Sequence, residues 1–282
     1  MTNVPPPLVL GNAPGSLDAV TPALPPAPRG TRRRFATGRA IMALILREMA
    51  TTYGRSPGGY LWAVLEPIGA IGLLSIVFSV ALRSPGLGTS FALFYATGYL
   101  PFMLYSALAS KIAMSIQYSR PLLAYPSVTF LDAIVARLIL ASLTQFMVFY
   151  VVITGIHLAF DIDSHLRFGA ILMSFAMTIS LGVGVGMVNC FIRWKIPFWD
   201  SLWTVLNRPL FIMSGVMIVF ESVPRSLQAY LWYNPLYHIS GEMRRGFYAT
   251  YDATYVTPVY VFAVSAVLVL LGLVLLGRYH RD

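Results

Sequence analysis

The sequence predicts an all-α, polytopic membrane protein with six transmembrane helices, an N-terminal amphipathic helix in the membrane interface, and short re-entrant helices between spans 5 and 6. Three observations carry that reading. Of the 282 residues, 57% are hydrophobic and only 11% are charged, against roughly 25% charged in soluble domains, and mean hydropathy is +0.70. Six stretches reach the roughly 20 apolar residues that a helix needs to cross about 30 Å of hydrocarbon. The basic residues gather at the ends of those stretches, mostly on one side.

Residues 1–36 are read as a disordered cytoplasmic tail. Eight prolines from Pro5 to Pro28 lie among small residues, and Arg29, Arg32, Arg33 and Arg34 follow; such a composition cannot bury a core. No apolar run of signal-peptide type follows a basic start, so the first span is expected to do the targeting. The remainder, 37–282, is read as one transmembrane domain. Over residues 37–53, Ile41, Leu44, Ile45 and Met49 fall on one helical face with Arg39 and Arg47 opposite, the pattern of a helix lying in a membrane surface. Gly54, Pro57, Gly58 and Gly59 separate it from span 1.

The six spans are expected at about 60–82, 91–114, 131–158, 168–190, 201–220 and 257–276. With this topology the tail arginines, Arg39, Arg47, Arg55, Lys111, Arg120, Arg193, Lys195, Arg278 and Arg281 share one side. Only Arg83, Arg167, Arg225, Arg244 and Arg245 lie on the other. The positive-inside bias makes the richer side cytoplasmic and puts both termini there. The formal charge of +9 therefore suits anionic headgroups, and no nucleic-acid partner is expected.

Within span 4, Gly182, Gly184 and Gly186 form a ridge of small residues that lets helix backbones approach. Residues 221–256 are too long for a tight turn and too apolar for a free loop, and are read as two short helices dipping into the outer leaflet. Their tyrosines and tryptophans suit an aromatic interface belt. Charged groups in spans cost about 2.5–3.5 kcal/mol at mid-bilayer. Asp132 and Arg137 are expected to snorkel or pair with each other. Glu66 and Arg208 each adjoin a proline that frees backbone groups, which marks them for gating or substrate contact.

Catalytic readings find little support. No G-x-x-x-x-G-K-[ST] occurs, so the chain has no P-loop of its own. Asp161-Ile162-Asp163 spells the D-x-D of many glycosyltransferases but falls in an outer loop, away from cytoplasmic sugar nucleotides. His157, His165, His238 and His280 form no metal pattern, and the single Cys190 allows no intrachain disulfide. A gradient-driven carrier would show mid-membrane ionisable groups and repeat symmetry, neither of which is evident here.

The run Tyr53-Gly54-Arg55-Ser56, continued by Gly59, Tyr60, Leu61, Trp62, Glu66 and Pro67, resembles the signature of ABC-2 type permeases that export bacterial polysaccharides. Its Glu66-Pro67 pair is more similar to the capsular polysaccharide exporters than to the O-antigen exporters, which more often carry Asn-Pro. A second similarity spans 207–247, where Arg208-Pro209 precedes Ser214-Gly215 and where Trp232, Asn234, Pro235, His238, Glu242, Arg244 and Arg245 follow a family ending. Tyr233 is an insertion relative to that ending, and the proline-rich tail is a second departure.

The resemblance implies a permease subunit, not an enzyme, in the inner membrane of a bacterium. It would work as a homodimer above two copies of a separate cytoplasmic ATPase, which uses ATP while this chain holds no cofactor and no metal. Its cargo would be a lipid-linked capsular or related surface polysaccharide; O-antigen, another glycolipid or a drug is the alternative. A periplasmic adaptor and an outer-membrane exporter are partners that the resemblance leaves open. The substrate pathway would use Tyr60 and Trp62 at the entrance, Arg55 and Arg208 for contact with an anionic headgroup, and Glu242, Arg244 and Arg245 near the exit, with Glu66 and Trp232 also among its residues. Aromatic rings stack on sugar C–H faces and guanidinium groups grip phosphate. Coupling to the ATPase would fall to Arg47 and Glu48 on the interfacial helix, and to Ile116, Gln117, Tyr118, Ser119, Arg120 and Pro121 between spans 2 and 3.

Overall fold

In the computed structural model, residues 36–52, 58–118, 129–160 and 166–279 are described, and every regular element among them is helical. The proline-rich tail, the motif residues 53–57, the segment 119–128 and the D-x-D lie outside these residues. Nine helices organise the described chain: α1 (Ala36–Thr52), α2 (Gly59–Ala81), α3 (Phe91–Ala113), α4 (Phe130–Phe160), α5 (Phe168–Lys195), α6 (Trp199–Ile212), α7 (Arg225–Leu231), α8 (Pro235–Phe247) and α9 (Pro258–Tyr279). A single helical turn at 115–118 follows α3, and a short 3-10 turn, Phe220–Ser222, precedes α7.

Five of these helices, α2, α3, α4, α5 and α9, are long and apolar enough to cross a bilayer. The expected fifth span, 201–220, is different. Its helix α6 has 14 residues, about 21 Å at 1.5 Å per residue, against the roughly 30 Å hydrocarbon core. It stops at Ile212, and the backbone turns at Gly215, whose φ is +77°. A Cβ there would sit 2.6 Å from Ser240 Oγ, so the turn requires glycine both for its angle and for its space. The apolar continuation Val216, Val219 and Phe220 is buried within the protein. Two short helices, α7 and α8, occupy the segment between α6 and α9.

Local chemistry explains the boundaries. The Ser90 side chain accepts from Leu93 N at the start of α3. The α4 start is a reciprocal box: Thr129 N donates to Asp132 Oδ2 at 2.9 Å and Asp132 N donates to Thr129 Oγ1 at 3.2 Å. Asn234 Oδ1 accepts from Leu236 N, and Pro235 opens α8, where a missing N–H costs nothing.

The glycine ridge of α5 serves packing on two sides. A Cβ on Gly182 would lie 2.8 Å from Leu108 Cβ and one on Gly186 2.8 Å from Ile112 Cβ, both on α3, while one on Gly184 would lie 2.8 Å from Leu268 Cβ on α9. Helix α3 consequently runs through the middle of the bundle, with Leu104, Leu108 and Ile112 fully buried against α4, α5 and α9. By contrast α2 exposes most of its surface and α6 has no buried residue.

Candidate functional site

Two polar clusters occupy opposite ends of α3, one around Lys111 and one around Phe94, about 26 Å apart at 1.5 Å per residue. At the Lys111 end, α1 packs on α4 through Leu44 and Glu48, one helical turn apart and both buried. Arg137 of α4 is buried there as well. Its Nε lies 3.2 Å from Glu48 Oε2, and its Nη1 donates to the Lys111 carbonyl at 2.8 Å. Its guanidinium carbon sits 4.5 Å from the centre of the Tyr118 ring, in cation–π geometry. Arg47 approaches the same ring at 5.6 Å, and the Tyr118 hydroxyl hydrogen-bonds the Thr51 hydroxyl.

One guanidinium thus joins α1, the end of α3, the 115–118 turn and α4. Arg137 therefore pairs with Glu48 and not with Asp132, whose carboxylate is occupied in capping its own helix. Sequence reasoning noticed the cost of an arginine in a span but missed the hub, because its partners lie 89 positions upstream and 26 positions upstream in the chain. Of the expected coupling residues, Arg47, Glu48 and Tyr118 converge here, Ile116 packs into the α3–α4–α5–α9 core, and Gln117 is exposed. Ser119, Arg120 and Pro121 lie outside the described residues.

At the Phe94 end, Arg244 of α8 is wholly buried. It donates from Nη2 to the Val216 carbonyl at 2.9 Å, and its guanidinium carbon is 4.3 Å from the Phe94 ring centre. Gly98 makes room for this contact, since a Cβ there would lie 2.9 Å from Val216 Cα and 3.2 Å from Arg244 Nη2. On the same helix, Glu242, buried, pairs with half-exposed Arg245 at 3.5 Å, and Arg245 lies 3.8 Å from Asp252. Tyr251 donates its hydroxyl between the two Glu221 oxygens, at 3.1 and 3.0 Å.

His238 is held at both ring nitrogens. Thr257 N donates to Nδ1 at 3.1 Å, so the proton must sit on Nε2, which donates to the Trp232 carbonyl at 2.8 Å. Burial pushes the imidazole below its ordinary pKa, although the bond to Trp232 works in the opposite direction. Trp232 itself stacks on Tyr260 with ring centres 5.0 Å apart and donates Nε1 to the Tyr255 carbonyl. Of the expected pathway residues of 232–245, Trp232 closes α7 and the others lie on α8, where Arg244 and Glu242 are interior and Arg245 reaches the surface.

The remaining pathway residues are apart from both clusters. Trp62 is 66% exposed, and Glu66 and Arg208 are exposed on α2 and α6. Arg55 and the Tyr60 side chain lie outside what is described. Among the described residues no three His, Cys, Asp or Glu side chains are grouped to hold a metal ion.

Comparison with known proteins fits this arrangement. The chain is similar to the polysialic acid transport protein KpsM of Escherichia coli, 27% identical over 235 residues that cover 83% of this chain and 91% of KpsM. It is also similar to the capsule polysaccharide export inner-membrane protein CtrC of Neisseria meningitidis, 29% identical over 252 residues, with 86% and 92% covered. BexB of Haemophilus influenzae, of the same description, is 27% identical over 251 residues, with 86% and 92% covered. Residues 39–248, from α1 through the end of α8, match the family of ABC-2 type transporters, and the chain belongs to that family.

Proposed function

We propose that this chain is the permease subunit of an ATP-driven exporter that carries a lipid-linked capsular or related surface polysaccharide across the bacterial inner membrane. The observation that supports it most is the similarity, over more than four fifths of the chain, to relatives named for capsule polysaccharide export. In this reading two copies enclose the pathway and two separate ATPase subunits dock on the arginine-rich face, where both termini lie. The chain transports and does not catalyse; ATP is spent by the partner, and no cofactor is held here.

The joint at Arg137 gives the reading its mechanics. Motion of the motor reaches α1 and the 115–118 turn, and the buried guanidinium ties both to α4 and to the end of α3. Packed helices transmit such displacement because interiors are dense. Pushing on this end would shift the helices that carry the Arg244 unit at the other.

Deletion of the gene, with complementation, tests the function directly. Surface polysaccharide should vanish and return with the plasmid copy, and the protein purified with its ATPase should carry a lipid-linked sugar detectable by mass spectrometry. Normal surface polysaccharide in the deletion strain would overturn the reading. A co-purifying small lipid or drug without sugar would assign the chain to another branch of ABC-2 exporters.

A further inference from the structure

Between α6 and α7 the chain runs as a strap, 213–222, that contains no α-helical residue. Val216, Val219 and Phe220 bury its inner side, where irregular backbone is tolerated only with partners from the protein. Three side chains from beyond the strap hold it. Asn234 Nδ2 donates to the Met213 carbonyl at 2.6 Å, Arg244 Nη2 donates to the Val216 carbonyl at 2.9 Å, and the Tyr251 hydroxyl donates to Glu221. The middle holder is the charged one, and it is wholly buried. Among the described residues no carboxylate forms an ion pair with Arg244. Its guanidinium rests on the Phe94 ring of α3, and its charge is met by the phenols of Tyr237, Tyr248, Tyr251 and Tyr255. A wholly buried guanidinium presents no surface to a passing headgroup, whereas its links to α3 and to the strap are both made.

Upstream, the strap leads straight into α6, whose own attachments to α3 are light. Asn207 Nδ2 reaches Ser106 Oγ at 3.4 Å, and Phe211 meets Tyr99 and Phe102 edge-on, with ring centres 5.9 and 5.2 Å apart. No residue of α6 is buried, so the place of its last turn depends on the strap. Arg208, one turn before Ile212, is exposed. We propose that Arg244 is a positioning residue: without touching cargo itself, it clamps the strap and thereby sets where the end of α6, with Arg208, stands toward the cargo. Its charge suits the task, because a charge-assisted hydrogen bond and a cation–π contact each hold more strongly than their neutral counterparts. One side chain of α8 thus fixes the strap against α3. The clamp rests on this geometry, and only what Arg208 meets rests on the function proposed above.

The first arm of the test uses the permease purified with its ATPase in nanodiscs, without glycan or nucleotide. Val219→Cys reports on the strap, since Val219 is 4% exposed and packs on Gly86, where an added Cβ would stand 2.9 Å from its Cγ2. A water-soluble maleimide should label Val219→Cys slowly, label Ile218→Cys on the exposed side rapidly, and leave buried Cys190 unreacted. Adding Arg244→Met should speed labelling of Val219→Cys roughly ten- to hundredfold, the local opening expected when one charge-assisted hydrogen bond is lost, with Cys190 still silent. If Cys190 reacts as well, the variant has unfolded as a whole, and Arg244→Lys decides instead. It keeps the charge but loses the planar fork, and should speed labelling about threefold or more. Labelling that the deciding variant does not speed would overturn the clamp. The second arm measures export in cells, per permease in the membrane. Arg208→Gln should lower it about tenfold, and Arg244→Met added to Arg208→Gln should lower it no further, because the residue that Arg244 places is already gone. Independent contacts, or a general loss of stability, would instead multiply the two losses. Multiplied losses, or export that Arg208→Gln leaves unchanged, would overturn the proposal. If the unmodified exporter moves no glycan, the function proposed above falls while the labelling still decides the clamp.

Discussion

The Glu48–Arg137 pair is buried on both sides, with side-chain exposures of 11% and 6%, and this decides what its removal does. Exposed ion pairs contribute at most about 1 kcal/mol, whereas leaving one member of a buried pair uncompensated costs about 3–5 kcal/mol. Glu48→Gln is therefore expected to destabilise the purified permease by about that amount, read as a lower unfolding temperature, and to reduce export. Exchanging the charges, Glu48→Arg with Arg137→Glu, should recover part of the loss because the Coulomb attraction survives. His238 gives a pH prediction of definite sign. Its folded-state pKa lies below the ordinary value near 6.5 because burial disfavours the imidazolium. Above both values neither state is protonated at this site; as pH falls through the unfolded value the unfolded chain takes a proton that the folded one refuses, so stability drops. Thermal unfolding followed from pH 7.5 to 5.5 should show that decline, and His238→Gln should flatten it. Such sites were only half legible in the sequence. The types and the neighbourhood of His238 were marked by the Trp232–Arg245 motif, but a guanidinium hub assembled from Glu48, Lys111, Tyr118 and Arg137 has no spacing to betray it.

At the scale of elements, hydropathy located every long helix because a membrane core demands the same apolar length everywhere. At 201–220 the apolar stretch is helical only in part: α6 ends at Ile212, while contacts of Asn207 with Ser106, Phe211 with Tyr99 and Val216 with Gly98 carry the segment along α3 toward its Phe94 end. Val216, Val219 and Phe220 are apolar because they are buried among α3, α8 and the 248–256 segment. Ser214-Gly215 carried the turn signal in plain sight. The glycines of α5 were read as a packing ridge, and the distances show what that ridge bears. Gly186→Ala would force a Cβ to 2.8 Å from Ile112 Cβ and 3.2 Å from the Ala109 carbonyl, so α3 and α5 must separate, an overpacking cost of about 1–3 kcal/mol. Gly155 of α4 has nothing within 4 Å of an added Cβ. Gly155→Ala should then stabilise by about 0.5–1 kcal/mol through helix propensity alone. Opposite shifts in unfolding temperature for two identical substitutions would verify that close approach, and not glycine as such, defines the ridge.

For the whole molecule, the uneven burial of the helices argues for a second copy. Helix α9 is exposed on one side, but that side is Val259, Val267, Leu270 and Val274, which lipid tails satisfy. Helix α6 is another matter: it has no buried residue and exposes Asp200 and Arg208 beside Leu202, Val205 and Leu206. Arginine at hydrocarbon depth is expensive, so the free face of α6 needs protein or water against it. Helix α2 presents Leu73, Ile76 and Val80 and also carries exposed Glu66. A pathway between two copies, walled by α2 and α6, would give these ionisable groups a wet surface and leave α9 to the lipid. Single cysteines distinguish the two faces in native membranes, since Cys190 is buried and remains silent. Ile76→Cys and Val205→Cys should form disulfide-linked dimers on mild oxidation, whereas Val267→Cys on α9 should not. Cross-linking through α9 with none through α2 or α6 would place the copies back to back, and the polar faces of α2 and α6 would then require some partner other than a second copy.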